Sequence, residues 1–284
     1  MNYKIFSAIL ILALASMACG ITFQSPIKPA TPGAEVTEPI TVPVPTSGER
    51  RLSLSFAAGE MKLSPGAKTN LVEGTATYNY AELKPMIKTE GNNVSIQTGD
   101  ESVRTFPSFG NLKNEWDLKL SSTPMDLTIE AGAYSAEYEF GGLALTGLTV
   151  KDGAATVKAS FSQPNKAEMA VLRYETGASN VALSGLSNAN FTSLTFKSGA
   201  GDYTLDFSGE LKKDATVTIE TGLSNLILTI PEGLNARVTM EESVANVNVG
   251  RGWEKDGNTY TQSGSGPTLT FIVKIGAGNV SLTR

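Results

Sequence analysis

Hydrophobic and polar positions from residue 127 onward repeat one pattern: apolar, any residue, apolar, charged, any residue, glycine. It reads Leu127-Ile129-Glu130-Gly132, then Leu148-Val150-Lys151-Gly153, Leu172-Tyr174-Glu175-Gly177, Leu194-Phe196-Lys197-Gly199 and Val217-Ile219-Glu220-Gly222. Two further copies are Val238-Met240-Glu241-Ser243 and Phe271-Val273-Lys274-Gly276. Successive copies begin 21, 24, 22, 23, 21 and 33 residues apart. Behind each corner, period-two alternation resumes with apolar residues four and six places on, from Ala136 and Tyr138 in the first copy to Val280 and Leu282 in the last. Each unit thus predicts a strand, a glycine-bearing corner and a second strand. A further apolar residue often marks the return, as at Leu143, Leu186, Leu211 and Leu234.

A single unit cannot bury its own apolar face. It offers four or five large side chains worth about 1.5–3 kcal/mol each on burial, against the cost of ordering roughly 22 residues. Stacking equivalent strands about 4.8 Å apart joins these faces into one core. The expected fold class is all-β: a β-solenoid, or a closely related stacked-sheet form, with glycine corners and a period of about 22 residues. Glycine is expected at the corners because a side chain there would force a strained backbone. The charged position before each corner runs Glu130, Lys151, Glu175, Lys197, Glu220, Glu241, Lys274, mostly alternating in sign. Exposed pairs contribute only ~0–1 kcal/mol each, so this column reads as register control.

Residues 51–125 repeat less cleanly. They open on Leu52-Ser53-Leu54-Ser55-Phe56 and pass through Val94-Ser95-Ile96, alternating strands broken by Gly and Asn. They read as a related β-module that caps the stack, with the repeats proper filling residues 126–284. The 33-residue spacing holds an insertion near residues 250–267, carrying Arg251, Trp253, Lys255 and Tyr260. Trp, Tyr and Arg are enriched at binding hot spots, which makes Arg251, Trp253 and Tyr260 a candidate binding surface. The other reading is a hairpin whose Trp253 closes the end of the stack.

The first fifty residues break the pattern. Residues 1–19 carry one cation, Lys4, and an apolar run from Ile5 to Ala18, which is the length of a signal peptide and short of the roughly 20 residues that span a bilayer. The run ends Ala15-Ser16-Met17-Ala18-Cys19-Gly20 and resembles a lipobox, with Ser16 where Leu is usual. A diacylglyceryl group on Cys19 would hold the chain at the membrane, each buried CH₂ contributing about 0.8 kcal/mol. Residues 20–50, with Pro26, Pro29, Pro32, Pro39, Pro43 and Pro45, are expected to be a disordered, extended stalk.

Composition narrows the chemistry. The 284 residues are 40% hydrophobic and 18% charged, enough for a sizeable core, and the net charge of −5 offers no basic stripe for nucleic acid. Histidine is absent and Cys19 is the single cysteine. Ser-His-Asp and Cys-His systems therefore lack their base, and zinc lacks its usual ligands. Gly199-Ala200-Gly201-Asp202 superficially matches a calcium repeat, but that motif recurs every nine residues and this one does not. The pairs Glu137/Glu139 and Glu241/Glu242 could flank a glycosidic bond, although solvated strand faces explain them more simply. No catalytic residue, cofactor or metal is expected.

Several segments resemble known families. Leu54-Ser55-Phe56-Ala57-Ala58-Gly59-Glu60-Met61, Leu71-Val72-Glu73-Gly74-Thr75-Ala76-Thr77-Tyr78 and Pro85-Met86-Ile87 before Gly91-Asn92-Asn93 are similar to the N-terminal domain of bacterial toast-rack proteins. Gly252-Trp253-Glu254-Lys255-Asp256-Gly257 and the ending Ile275-Gly276-Ala277-Gly278-Asn279-Val280-Ser281-Leu282 resemble the C-terminal repeats of adhesin-like and LiaF-like envelope proteins. The resemblance implies a structural repeat without a catalytic signature. The function expected is an adhesin-like binding or scaffold lipoprotein, extracytoplasmic and anchored through Cys19, with an envelope protein or cell-wall polymer as partner. The alternatives are an envelope-stress accessory acting on a membrane sensor in the LiaF manner, and a carbohydrate-active enzyme. Self-association through edge strands is also expected, the C-terminal strand ending at Arg284 being the exposed edge.

Overall fold

The computed structural model describes residues 31–46, 48–99, 111–241 and 244–284. Seven strands of 15 or 16 residues form the body: β2 (Arg50–Pro65), β7 (Met125–Glu139), β8 (Leu145–Ser160), β9 (Met169–Ser184), β10 (Phe191–Asp206), β11 (Ala215–Thr229) and β16 (Thr268–Thr283). They pair in parallel in that spatial order within one all-β, many-stranded sheet. The register joins equivalent positions of the recurring pattern: Leu127 faces Leu148, then Leu172, Leu194, Val217 and Phe271.

Each long strand changes its inward parity halfway along. In β7 the buried residues are Met125, Leu127 and Ile129 before Gly132, then Tyr134, Ala136 and Tyr138 after it. Alternation with period two cannot bury both sets on one flat face, so the inward side switches near the glycine and each strand presents two buried segments, its two arms, to the core. None of Gly132, Gly153, Gly177, Gly199, Gly222 or Gly276 has a left-handed backbone. The expectation that backbone strain selects these glycines is corrected by their surroundings. A Cβ on Gly177 would lie 2.4 Å from the carbonyl oxygen of Gly153, and one on Gly222 would lie 2.4 Å from that of Gly199. Close approach of the preceding rung leaves no room for a side chain.

At the N-terminal end, β2 is covered by two short strands. β5 (Asn93–Thr98) pairs with its first half and β6 (Asn114–Leu120) with its second, both in parallel. β4 (Pro85–Glu90) closes antiparallel on β5, β3 (Asn70–Tyr78) on β6, and β1 (Val36–Pro43) on β3. β1 falls within the stretch whose proline density predicts a disordered stalk. Ile40 and Val42 are buried in the core, and Pro39 and Pro43 are accommodated because β1 is an edge strand with one partner among the described residues. Residues 1–30, which hold the expected leader and the first part of the stalk, lie outside the described residues.

The C-terminal end departs from chain order. β16 pairs with β11 on one side, and on the other with β12 (Asn235–Glu241) and β13 (Val244–Val249). The expectation that the C-terminal strand is an exposed edge is therefore overturned: it lies inside the sheet, bonded on both sides. The insertion forms the hairpin β14 (Glu254–Asp256) and β15 (Thr259–Gln262), and β15 pairs antiparallel with β12.

Candidate functional site

Pairing brings the charged position before each corner into one straight column. From end to end it runs Glu130, Lys151, Glu175, Lys197, Glu220, Lys274, Glu241. In chain order Glu220 is followed by Glu241; in space Lys274 stands between them, so the alternation is unbroken. Lys151 Nζ meets Glu130 Oε1 at 3.2 Å and Lys197 Nζ meets Glu220 Oε2 at 2.8 Å, while Glu175 is taken by Arg173 of its own strand. These groups are about half exposed, so each pair adds only ~0–1 kcal/mol. The column borders an open groove of about 560 Å³, with Glu175, Lys197, Glu220 and Lys274 beside Thr176, Ser198 and Thr221. A second groove of about 390 Å³ follows the same column beside Glu130, Lys151 and Asp152.

Beneath this seam the corner is polar. The position between the charged residue and the glycine is Asp152 in β8, and its partners on the next strands are Thr176, Ser198 and Thr221. The Asp152 carboxylate accepts hydrogen bonds from Tyr174 (2.8 Å), Ser179 (3.3 Å), Tyr134 (3.5 Å) and Thr176. Tyr138 donates in turn to the hydroxyl of Tyr134 (3.2 Å). Three rungs are thereby tied through one half-buried carboxylate. Burial pushes the hydroxyls of Tyr134, Tyr138 and Tyr174 well above the ordinary tyrosine range, with the nearby Asp152 charge adding to it.

On the far side of the corner an amide ladder crosses the outer face. Asn225 Nδ2 donates to Asp202 (2.8 Å), Asn279 Nδ2 to Asn225 Oδ1 (2.8 Å) and Asn246 Nδ2 to Asn279 Oδ1 (3.4 Å). The order again follows space: Asn279 sits between Asn225 and Asn246. Asp202, the acid of the calcium-like stretch, is engaged as an acceptor in this ladder.

The residues singled out in the insertion do not share one exposed surface. Tyr260 is buried opposite Val238, with Lys255 Nζ 5.3 Å from its ring centroid. Trp253 is half-buried against the core, and Arg251 is exposed. Glu137 is exposed, whereas Glu139 is half-buried. Burial opposes its ionisation, but hydrogen bonds from Ser160, Ser162 and Gly141 prevail and hold its pKa below the usual range. It thus ties a turn together. Glu241 is exposed in the charged column; Glu242 and the lipidation candidate Cys19 lie outside the described residues.

These features define an all-β repeat protein whose notable surface is a charged seam. The family model described as the N-terminal domain of toast_rack matches residues 31–172 and 165–229, and the chain belongs to that family. No curated protein matches it in sequence. Among solved structures, a provisionally named cell adhesion protein from Clostridium sporogenes is 20% identical, with a TM-score of 0.49, 88% of this chain and 99% of that one being covered. A provisionally named adhesin from Parabacteroides merdae is 12% identical, TM-score 0.36, covering 89% and 97%. Another, from Bacteroides fragilis, is 10% identical, TM-score 0.35, covering 88% and 97%.

Proposed function

We propose that the protein is a membrane-tethered, extracytoplasmic scaffold. It is a β-solenoid with a period of about 22 residues that turns at its glycine column and holds a partner along its charged seam. The carrying observation is the unbroken alternation from Glu130 to Glu241 along the grooves, completed by Lys274. Such a surface alternates in sign at the rung spacing of about 4.8 Å, so that each sign recurs on every second rung. It complements a partner bearing ammonium and carboxylate groups in series, as an envelope protein or a peptide-bearing wall polymer does. The tether rests on the position of Cys19 after an apolar run.

The test is retention of the purified protein by cell-wall material and cross-linking to envelope proteins, with Lys197→Ala and Lys274→Ala beside the wild type. Salt-sensitive retention that both variants lose supports the proposal; a wild type retained by neither kind of partner ends it. For the tether, metabolic labelling with a fatty acid should mark the wild type and spare Cys19→Ser. The second reading, an envelope-stress accessory, rests on the LiaF-like segments at Gly252–Gly257 and Ile275–Leu282. It requires that deletion alter the response to wall-active antibiotics.

A further inference from the structure

Four strands have a single partner among the described residues: β1, β4, β13 and β14. Exposed edges recruit other strands unless proline, charge or brevity blunts them. β1 carries Pro39 and Pro43, β4 carries Pro85, Lys88 and Glu90, and β14 is three residues long with Glu254, Lys255 and Asp256. β13 reads Val244-Ala245-Asn246-Val247-Asn248-Val249, without a charge or a proline.

The core is also unfinished at β13. The first arm ends under the β14–β15 hairpin, where Val238 and Met240 are buried. In the second arm, Leu205, Leu228 and Leu282 form a column of fully buried residues whose next member, Val249, is 38% exposed. Ala245 and Val247 are only half-buried against the core. The amide ladder stops here too: Asn246 donates inward to Asn279 and leaves its own Oδ1 directed to no described partner.

We infer that β13 is a self-recognition edge, on which β13 of a second copy pairs antiparallel about a twofold axis through Val247. In that register Val247 meets Val247, Ala245 meets Val249, and Asn246 meets Asn248, so apolar faces apolar and amide faces amide. Asn248 then sets its amide beside the exposed amide of Asn246 and extends the ladder into the second copy. A second copy fits better than an unrelated strand because the sequence is self-complementary about Val247 and bears no charge for a charged partner to read. Closure as a dimer fits better than an open fibre, because the matching edge at the other end of the second arm is the proline-bearing β1. This inference stands independently of what the seam holds.

The experiment is sedimentation of the full-length protein in mild detergent over a range of concentrations. A reversible monomer–dimer equilibrium is expected, weakened about tenfold or more by Val247→Lys and by Asn248→Lys, since each substitution acts twice in the dimer. Asn248 is exposed, so its variant preserves the signal if Val247→Lys fails to fold. With Cys19→Ser in place, Val247→Cys should cross-link between copies on mild oxidation, and Ile227→Cys, exposed elsewhere on the same arm, should not. A wild type that stays monomeric at every concentration overturns the inference. So does a dimer indifferent to both lysine substitutions, or growth into open-ended assemblies.

Discussion

Lys274 lies opposite Glu220 on the neighbouring strand, although β12, β13 and the whole hairpin separate them in the chain. Its other neighbour is Glu241, which precedes it in sequence. The last strand has thus entered between two earlier ones, and it carries the sign that both neighbours require. Asn279 repeats the relationship five residues further on, bonded to Asn225 at a sequence separation of 54 and to Asn246 at 33. Two outward columns, one ionic and one amide, agree on the same strand order.

Reversing that sign should be felt. Lys274→Glu places three carboxylates in a row and is expected to lower stability by about 1 kcal/mol in low salt, with most of the loss removed at high salt. Adding Glu241→Lys to it leaves only the 220–274 pair like-signed, with the Lys197–Glu220 pair intact, and should recover about half of the loss. Urea unfolding at two ionic strengths checks both expectations.

The glycine column makes a steric prediction distinct from a torsional one. Gly177→Ala, whose Cβ would meet the Gly153 carbonyl at 2.4 Å, is expected to cost about 2–3 kcal/mol. Gly233 has a φ of +91° with open space around its missing Cβ, so Gly233→Asn should cost under about 1 kcal/mol. Comparing the two variants by denaturant midpoint separates the causes.

Asp152 collects the hydroxyls of the corner. Asp152→Ala leaves those of Tyr174 and Thr176 buried without their acceptor and is expected to cost about 2–3 kcal/mol, more than Asp152→Asn, whose amide oxygen still accepts. Thermal unfolding of the two variants provides the measurement.

The buried tyrosines set an alkaline limit. Tyr134, Tyr138 and Tyr174 hold their protons more tightly folded than unfolded, so the folded state binds more protons above the unfolded tyrosine pKa of about 10. Their contribution is complete below that pH and is lost as pH rises through the folded values. Tyrosinate absorbance should therefore appear together with unfolding, and Tyr138→Phe should make the alkaline loss less steep.

Which residues share a column was legible, because inward positions recur at fixed offsets from each corner glycine. The order of the columns was not. The copy beginning at Val238 has the same apolar spacing as its neighbours, and spacing carries no information on whether a later strand slips beneath it. The clue was electrostatic: Glu220 followed by Glu241 is the one like-signed step in the series. Proline density over residues 20–50 as a whole hides β1, whereas Ile40 and Val42 alternate within Val36–Pro43 and prolines are tolerated at an edge. In the insertion, hot-spot residue types pointed outward, yet Tyr260 serves to close the first arm. The polar corner is hidden because Asp152 follows Lys151 and reads as a second solvated charge. The recurrence of Thr176, Ser198 and Thr221 at the same offset was the signal that this position turns inward.

The strand order is tested most directly by side-chain contacts measured in solution. In the row Ile219–Val273–Met240, NMR should give contacts from Val273 to both Ile219 and Met240, and none between those two. Direct contacts between Ile219 and Met240, with Val273 touching only one of them, would return β16 to the edge and contradict the account.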